Sequence, residues 1–163
     1  MSIIENKAFA VATIHVVAAG RLLILRRAEW QKIPGEEYRP QLSHTPDLPG
    51  GIVGDDFPDE SIEEAALREL EEEAGIVTQP GDLQLIYMKT YYNDKYNRSK
   101  NHLFYLVKLK DTPAIKLSWE HESFQWIPLG EVRKELNRKD EILGPGKDEA
   151  LDYLLEHRDI FAV

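Results

Sequence analysis

The segment from Gly54 to Ile76 constrains the fold of this chain more than any other, because it combines a complete helix signal with an unusual charge pattern. It reads GDDFPDESIEEAALRELEEEAGI. Ser61 is a suitable helix N-cap, and Glu64 stands three residues later, as in a capping box. Gly75 is a typical residue just beyond a helix C-terminus. The segment therefore predicts a helix over Ser61–Ala74.

The helical period separates the side chains of this helix into distinct groups, at about 100° per residue. An apolar stripe is formed by Ala66, Leu70 and Ala74. The arc beside this stripe carries Glu69, Glu72 and Glu73. The carboxylates expected to be solvated are Glu63, Glu64 and Glu71. One group of carboxylates is thus predicted to lie at the border of the buried face.

The clustered carboxylates favour a divalent cation over a merely solvated helix surface, which is the alternative interpretation. Like charges three or four residues apart cost a few tenths of a kcal/mol per pair, and the helix offers only Arg68 as a cation. Hard oxygen ligands suit Mg²⁺ or Mn²⁺ better than zinc. Because Mg²⁺ commonly joins one or two carboxylates to substrate phosphates, we expect a diphosphate or triphosphate compound as the substrate.

The composition restricts the partners and the setting of the protein. The chain has 163 residues, which suits a single domain over residues 1–163 with its own core. No apolar run approaches the roughly 20 residues that span a bilayer, and the N-terminus lacks a signal-peptide pattern. The formal net charge of -9 argues against nucleic-acid binding. The absence of cysteine excludes disulfides and thiolate chemistry, so we expect a cytoplasmic protein without membrane or nucleic-acid partners.

The rest of the chain predicts several strands and two more helices. Runs rich in β-branched and aromatic residues predict strands at Ala8–Val17, Leu22–Arg26, Leu83–Tyr91, Leu103–Lys110 and Ser123–Ile127. Helices are expected at Leu129–Leu136 and Lys147–His157. The connection Ala28–Pro49 is expected to be irregular because it is rich in proline and glycine. This order indicates an α/β (mixed α+β) fold with a mixed sheet covered by helices.

The acidic segment resembles the Nudix box, G-x5-E-x7-R-E-U-x-E-E-x-G-U, where U is a bulky aliphatic residue. Its nine specified positions are filled by Gly54, Glu60, Arg68, Glu69, Leu70, Glu72, Glu73, Gly75 and Ile76. The preceding run Leu48-Pro49-Gly50-Gly51 and the later segment EHESFQW are also similar to the family. In the family the last glycine of the Pro-Gly-Gly run is the box glycine, whereas Gly51 precedes Gly54 by three residues here. We interpret this as a three-residue insertion, with Gly54 as the box glycine being the alternative.

This resemblance implies an α/β/α sandwich that hydrolyses a diphosphate linkage in a nucleoside diphosphate derivative or a nucleoside triphosphate, with Mg²⁺ as cofactor. The implied metal ligands are the Gly50 carbonyl and the carboxylates of Glu69, Glu72 and Glu73. Arg68 is expected to pair with neighbouring carboxylates such as Glu60 and to hold them in place. The general base stays open among Glu69, Glu120 and Glu122, with Glu120 preferred. A homodimer is an expectation taken from the family alone.

Basic and aromatic side chains supply the expected substrate contacts. Arg26 and Arg27 end a predicted strand near the site, and one of the two is expected to bind phosphate through its guanidinium. Tyr92 belongs to an aromatic and basic patch that also contains Tyr91, Lys95, Tyr96, Arg98 and Lys100. This patch suits base stacking and phosphate binding. A solvated hairpin tip or a dimer contact is an equal alternative for it.

Two other functions share the fold that the resemblance implies. A non-catalytic nucleotide sensor is one alternative, although such domains usually lose box glutamates that this chain retains. Isopentenyl diphosphate isomerase is the other, but it relies on a cysteine and this chain has none. The five histidines share no metal-ligand spacing. The sequence therefore favours the hydrolase and does not identify its substrate.

Overall fold

The computed structural model describes residues 8–29, 39–94 and 97–163. Within these ranges the strands are β1 (Phe9–Ala18), β2 (Arg21–Arg27), β3 (Pro46–Asp47), β4 (Gly50–Ile52), β5 (Gln84–Asn93), β6 (Arg98–Leu109) and β7 (His121–Pro128). The helices are α1 (Ile62–Ala74), α2 (Val132–Arg138), α3 (Lys147–Glu156) and α4 (Arg158–Phe161). Short 3-10 turns lie at Pro40–Leu42, Pro80–Asp82 and Leu129–Glu131.

The described strands join one mixed sheet. Its central order is β3-β2-β1-β6-β5, with β4 pairing with β1 and β7 pairing with β2. Strands β1 and β6 are parallel, whereas the remaining pairs are antiparallel. The pairing of Thr13 with Gly50 joins β4 to the middle of β1. The glycine run therefore lies against the centre of the sheet.

The sheet is covered by helices on both faces, because its strands are apolar on both sides. Leu22 and Ile24 of β2 belong to the core that contains α2 and α3. The intervening residues Leu23 and Leu25 belong to the core that contains α1. Such alternation follows from the period of two along a strand. The predicted α/β/α arrangement with a mixed sheet is confirmed.

Several predicted boundaries differ from the observed ones. Part of the connection expected to be irregular forms β3, in which Pro46 pairs with Arg26 at a sheet edge, a position that tolerates proline. Residues 30–38 of that connection lie outside the described ranges. Strands β5 and β6 extend further toward their hairpin tip than predicted, and α4 was not predicted. No helix of the described residues is long and apolar enough to cross a membrane.

Candidate functional site

Local signals in the sequence position helix α1. The Ser61 hydroxyl accepts a hydrogen bond from the Glu64 N–H at 3.1 Å, and the Glu64 carboxylate accepts one from the Ser61 N–H at 2.7 Å. At the other end, Gly75 has a φ of 69° and donates its N–H to the Glu71 carbonyl. The apolar stripe of Ala66, Leu70 and Ala74 is buried against the sheet. The predicted helix and both of its caps are confirmed.

Arg68 is the centre of a dense charge network at the surface of α1. Its guanidinium makes two hydrogen bonds with the Glu60 carboxylate, at 2.9 and 3.0 Å. It also contacts the carboxylates of Glu69 at 2.9 Å and Glu72 at 3.3 Å. Glu60 in turn accepts the Gly54 N–H at 2.9 Å. The Arg68 hydrogen bonds lower the pKa of Glu60, so this carboxylate stays charged and braces the loop before the helix.

Glu73 reaches from α1 to the glycine run. Its side chain is buried, and its carboxylate accepts the Gly50 N–H at 2.9 Å. Burial, reinforced by the negative charge of Asp47, raises the pKa of Glu73 well above its usual value. Glu120 and Glu69 act in the same direction. The surroundings of Glu73 therefore disfavour its negative charge, which a bound cation would stabilise.

Gly50 and Gly51 allow the backbone of β4 to lie close to the carboxylates of α1. A Cβ atom added to Gly51 would collide with the Glu69 carboxylate, and one added to Gly50 would collide with the Ala12 carbonyl. Gly54 has a different role: its N–H donates a hydrogen bond to the Glu60 carboxylate, and its backbone has a positive φ of 79°. The run Gly50-Gly51 thus borders the carboxylates of α1, as the insertion interpretation expects. The metal-binding role of the Gly50 carbonyl stays a prediction.

Glu69 and Glu72 are held differently from Glu73. Burial raises the pKa of Glu69, while the neighbouring Arg68 opposes that rise. The Glu72 side chain is 51% exposed and rests on Arg68. As arranged within residues 8–29, 39–94 and 97–163, no three His, Asp or Glu side chains form a ready metal cage. The donor set nevertheless suits a hard divalent cation, because Glu69, Glu72 and Glu73 supply the carboxylate oxygens that such cations prefer.

The two acids of the later loop have different surroundings. The backbone of Glu120 is anchored through its carbonyl, which accepts the Ala28 N–H at 2.8 Å. Its charge contributes to raising the pKa of both Glu69 and Glu73, so it stands near the carboxylates of α1. Glu122 instead lies 2.8 Å from Nδ1 of His44. The structure therefore places Glu120 close enough to Glu69 and Glu73 for its charge to act on both, whereas Glu122 contacts His44.

The two arginines that end β2 diverge. Arg26 forms a two-point ion pair with Glu141, at 2.7 and 3.1 Å. Arg27 donates from Nε to the buried Asp47 at 2.9 Å, and its charge is also close to Glu73 and Glu120. Arg27 thus borders the carboxylate site, whereas Arg26 is occupied by an ion pair. Substrate binding by either residue stays a prediction.

Asp47 is a buried charge that the sequence analysis did not identify. It contacts the ammonium of Lys147, Arg27 and, at 3.5 Å, His121. Burial alone would raise the pKa of Asp47, but these partners hold it well below its usual range. Lys147 comes from α3, 100 residues along the chain. No local spacing in the sequence could have indicated this contact.

The aromatic patch at the β5–β6 hairpin divides between the two faces of the sheet. Tyr92 is 53% exposed and its hydroxyl contacts Asn97. Its neighbour Tyr91 pairs across the strands with Lys100, whose ammonium lies 5.2 Å from the Tyr91 ring centre. Lys95 and Tyr96 lie outside the described ranges. Substrate contact by Tyr92 stays a prediction. Tyr91, and not Tyr92, is the tyrosine whose ring lies beside the partly buried Lys100.

The α/β/α architecture and the carboxylate-bearing helix beside a glycine run define a Nudix-type domain. A family model for the NUDIX domain matches residues 7–145. The chain therefore belongs to the Nudix family.

Known proteins share parts of this sequence and most of this fold. The chain is 34% identical over 86 residues to the asymmetrical bis(5'-nucleosyl)-tetraphosphatase of Sus scrofa, a match over 51% of this chain and 57% of that protein. The MutT protein from Methanosarcina mazei Go1 superposes with a TM-score of 0.67 at 24% identity, covering 96% of this chain and 98% of that one. An Ap4A hydrolase from C. elegans gives a TM-score of 0.61 at 22% identity, covering 94% and 98%. At these identities the solved structures establish a shared fold.

Proposed function

We propose that the protein is a Mg²⁺-dependent pyrophosphohydrolase that cleaves a diphosphate linkage in a nucleotide by attack of water at phosphorus. The observation that carries this proposal is the buried Glu73 carboxylate, which lies against Gly50 and beside other acids. Among the described residues it forms no direct ion pair, and the nearby Arg27 pairs with Asp47 instead. Such a site needs positive charge, and a substrate diphosphate adds still more negative charge. The proposed setting is the cytoplasm, in keeping with a chain that has no cysteine.

The proposed metal ligands are Glu69, Glu72, Glu73 and the Gly50 carbonyl. When bound, Mg²⁺ or Mn²⁺ would neutralise diphosphate oxygens and increase the acidity of water. Glu69 and Glu72 lie against Arg68, which orients both carboxylates. Arg68 itself is held by Glu60 through two hydrogen bonds. Arg68 therefore positions the carboxylates of Glu69 and Glu72 and does not act on the substrate directly.

The proposed general base is Glu120, which is exposed and accessible to a water molecule. It would take the proton of the attacking water as the new P–O bond forms. The bond from phosphorus to the bridging oxygen would break, and the departing phosphate would carry the released negative charge. Arg27 stands close enough to Glu73 and Glu120 to stabilise that charge. Asp47 fixes the Arg27 guanidinium through Nε.

The substrate to test first is a dinucleoside tetraphosphate. The Sus scrofa relative is named for asymmetrical cleavage of such a compound, and the C. elegans structure is that of an Ap4A hydrolase. A Nudix domain of Shewanella oneidensis NrtR, bound to ADP ribose, shares the fold with a TM-score of 0.66. ADP-ribose is therefore the second substrate to test. A nucleotide sugar and a nucleoside triphosphate complete the panel.

The test is turnover of this panel with Mg²⁺, with Mn²⁺ and with a chelator, in ¹⁸O-labelled water. We expect metal-dependent turnover of at least one substrate, with one labelled oxygen on a phosphate product. Label on carbon would refute attack at phosphorus. Metal-dependent binding of a nucleotide without turnover would instead identify the sensor alternative, and conversion of isopentenyl diphosphate would identify the isomerase.

A further inference from the structure

The segment that precedes β7 follows helix α1 toward its carboxylates. The Lys116 N–H donates a hydrogen bond to the Ala74 carbonyl, at the C-terminus of α1, at 3.0 Å. The next side chain, Leu117, packs against the core that contains α1. Four residues after Lys116, the charge of Glu120 acts on two carboxylates of α1. The residues between Lys116 and Glu120 therefore lie along α1, next to the proposed metal ligands.

Trp119 lies at the centre of a hydrogen-bonded turn in this segment. The His121 N–H donates to the Ser118 carbonyl at 3.3 Å and closes the turn. Trp119 and Glu120 are the two central residues of this turn. The Glu120 N–H donates to the Ser118 hydroxyl at 3.3 Å, and the Glu120 carbonyl accepts the Ala28 N–H at 2.8 Å. Hydrogen bonds on both sides thus hold the backbone next to Trp119.

The indole of Trp119 is presented to solvent, and 65% of the residue is exposed. Among the described residues it belongs to neither hydrophobic core. By contrast, Trp126 packs against the core that contains α1. Within the part of the chain that the structure describes, the Trp119 ring stacks on no other aromatic ring. A large aromatic face is therefore accessible one residue away from the proposed general base.

An accessible indole at this position suits a nucleobase. Every base has a π-face that can stack on an aromatic side chain. A phosphate group would instead need a cation or hydrogen-bond donors, and the residue that follows Trp119 is the acid Glu120. In a nucleotide the base is joined to the diphosphate through the ribose. If the diphosphate lies at the carboxylates of α1, the adjoining turn is therefore a suitable place for the base.

We propose that the Trp119 indole is the stacking surface for the nucleobase of the substrate. The ligand class is a nucleotide whose base is joined, through its ribose, to the diphosphate that is hydrolysed. The role of Trp119 is binding, and it takes no part in proton transfer. Purines should bind more tightly than pyrimidines, because stacking strength grows with the overlap of the rings. This inference rests on the proposed function and specifies how that site selects its substrate.

Kinetics distinguish a stacking surface from a residue that only supports Glu120. For Trp119→Ala we expect KM of the best nucleotide substrate in the panel to rise about fivefold or more, because base stacking is lost. Its kcat should stay within about threefold of the wild-type value, and Trp119→Phe should restore most of the affinity. Phe57→Ala changes another loop aromatic, 59% exposed, and is the matched control. A fall in kcat with unchanged KM would overturn the proposal, because Trp119 would then only position the general base.

A binding experiment separates this proposal from the proposed function. Calorimetry with Mg²⁺ compares AMP, which has no diphosphate linkage to cleave, with ribose 5-phosphate, which also lacks the base. The wild type and Phe57→Ala should bind AMP about fivefold or more tightly than ribose 5-phosphate, and Trp119→Ala should bind the two about equally. Equal affinities in the wild type, or no binding of AMP, would overturn the stacking surface even if the enzyme turns over nucleotides. An affinity ratio that depends on Trp119, without turnover of any panel substrate, would retain the surface and refute the hydrolase.

Discussion

The Glu73 carboxylate accepts the backbone N–H of Gly50 at 2.9 Å, so a buried hydrogen bond joins helix α1 to the glycine run at the start of β4. This contact brings a charged group into the protein at a point where Asp47 and Glu120 add further negative charge. One backbone donor does not balance that charge. The contact between Glu73 and Gly50 therefore marks the place where a bound cation would contribute most to stabilising a negatively charged Glu73.

Replacing Glu73 by glutamine should abolish most activity without unfolding the protein. A glutamine can still accept the Gly50 N–H, but it removes a charged oxygen ligand. Since residues that merely orient metal ligands already contribute about 10- to 100-fold, we expect kcat to fall by more than about 100-fold. Steady-state kinetics with Mg²⁺ checks the effect, and circular dichroism checks the fold. Unchanged turnover would contradict the assignment.

The matched control is Glu71→Gln, which changes an exposed carboxylate on the same helix and should retain wild-type activity. Thermal unfolding adds a second comparison. Mg²⁺ at about 100 times its dissociation constant should stabilise the wild type by about 2.7 kcal/mol. The same addition should have little effect on Glu73→Gln. In metal-free buffer this variant should unfold at a higher temperature than the wild type, because the free-energy cost of burying a carboxyl group beside other acids has gone.

The surroundings of Glu120 and Glu122 predict different kinetic effects for two equivalent substitutions. Glu120→Gln should lower kcat by about 100-fold or more, as expected for loss of a general base. Glu122→Gln alters the contact with His44 and removes a negative charge near Arg26. It should leave kcat within about threefold of the wild-type value, since general-base catalysis is retained. Parallel kcat measurements at saturating substrate distinguish the two. A larger loss in Glu122→Gln would reverse the assignment of the base.

The Arg68–Glu60 pair should be strongly coupled in stability. Arg68→Met leaves four carboxylates, those of Asp56, Glu60, Glu69 and Glu72, without their shared cation. Glu60→Gln weakens the two hydrogen bonds from the guanidinium. We expect each change to lower the free energy of unfolding by about 2–3 kcal/mol. The double variant should lose clearly less than the sum of the two. Urea unfolding of the four proteins measures the coupling, and strict additivity would show that the pair is independent.

Buried His15 predicts a loss of stability in mildly acidic solution. Burial lowers the pKa of His15 to about 4 from its usual value of 6.5. The unfolded chain therefore binds a proton that the folded protein does not as the pH falls from 6.5 to about 4. Stability from this residue is complete above pH 6.5 and decreases by up to about 3 kcal/mol across that interval.

The His15→Leu variant tests this effect, because leucine does not titrate and retains an apolar contact within the core. Its free energy of unfolding should depend less steeply on pH between 6.5 and 4 than that of the wild type. His157→Gln, a change at a partly exposed histidine at the C-terminal end of α3, serves as the control for losing an imidazole. Identical pH slopes for His15→Leu and the wild type would contradict the prediction.

Short-range signals explain why helix α1 was predicted so closely. Ser61 and Glu64 are three residues apart and cap one another directly. Arg68 reaches Glu60 over eight residues, a spacing that one helix and its preceding turn determine. By contrast, β3 consists of only two residues, too few to show a period of two. Its pairing with β2 depends on the neighbouring sheet and not on its own side chains.

The sequence alone determined the capped helix, its row of glutamates and membership of a family with a mixed sheet between helices, because these features depend on local spacing. Only the tertiary structure decided that Gly50 contacts Glu73 and that Arg27, rather than Arg26, borders the carboxylate site. It also decided that Lys147 contacts Asp47, a residue 100 positions away in the sequence. These contacts depend on strand register and helix packing. Side-chain periodicity carries no information about either, since it repeats identically wherever a strand or helix is placed.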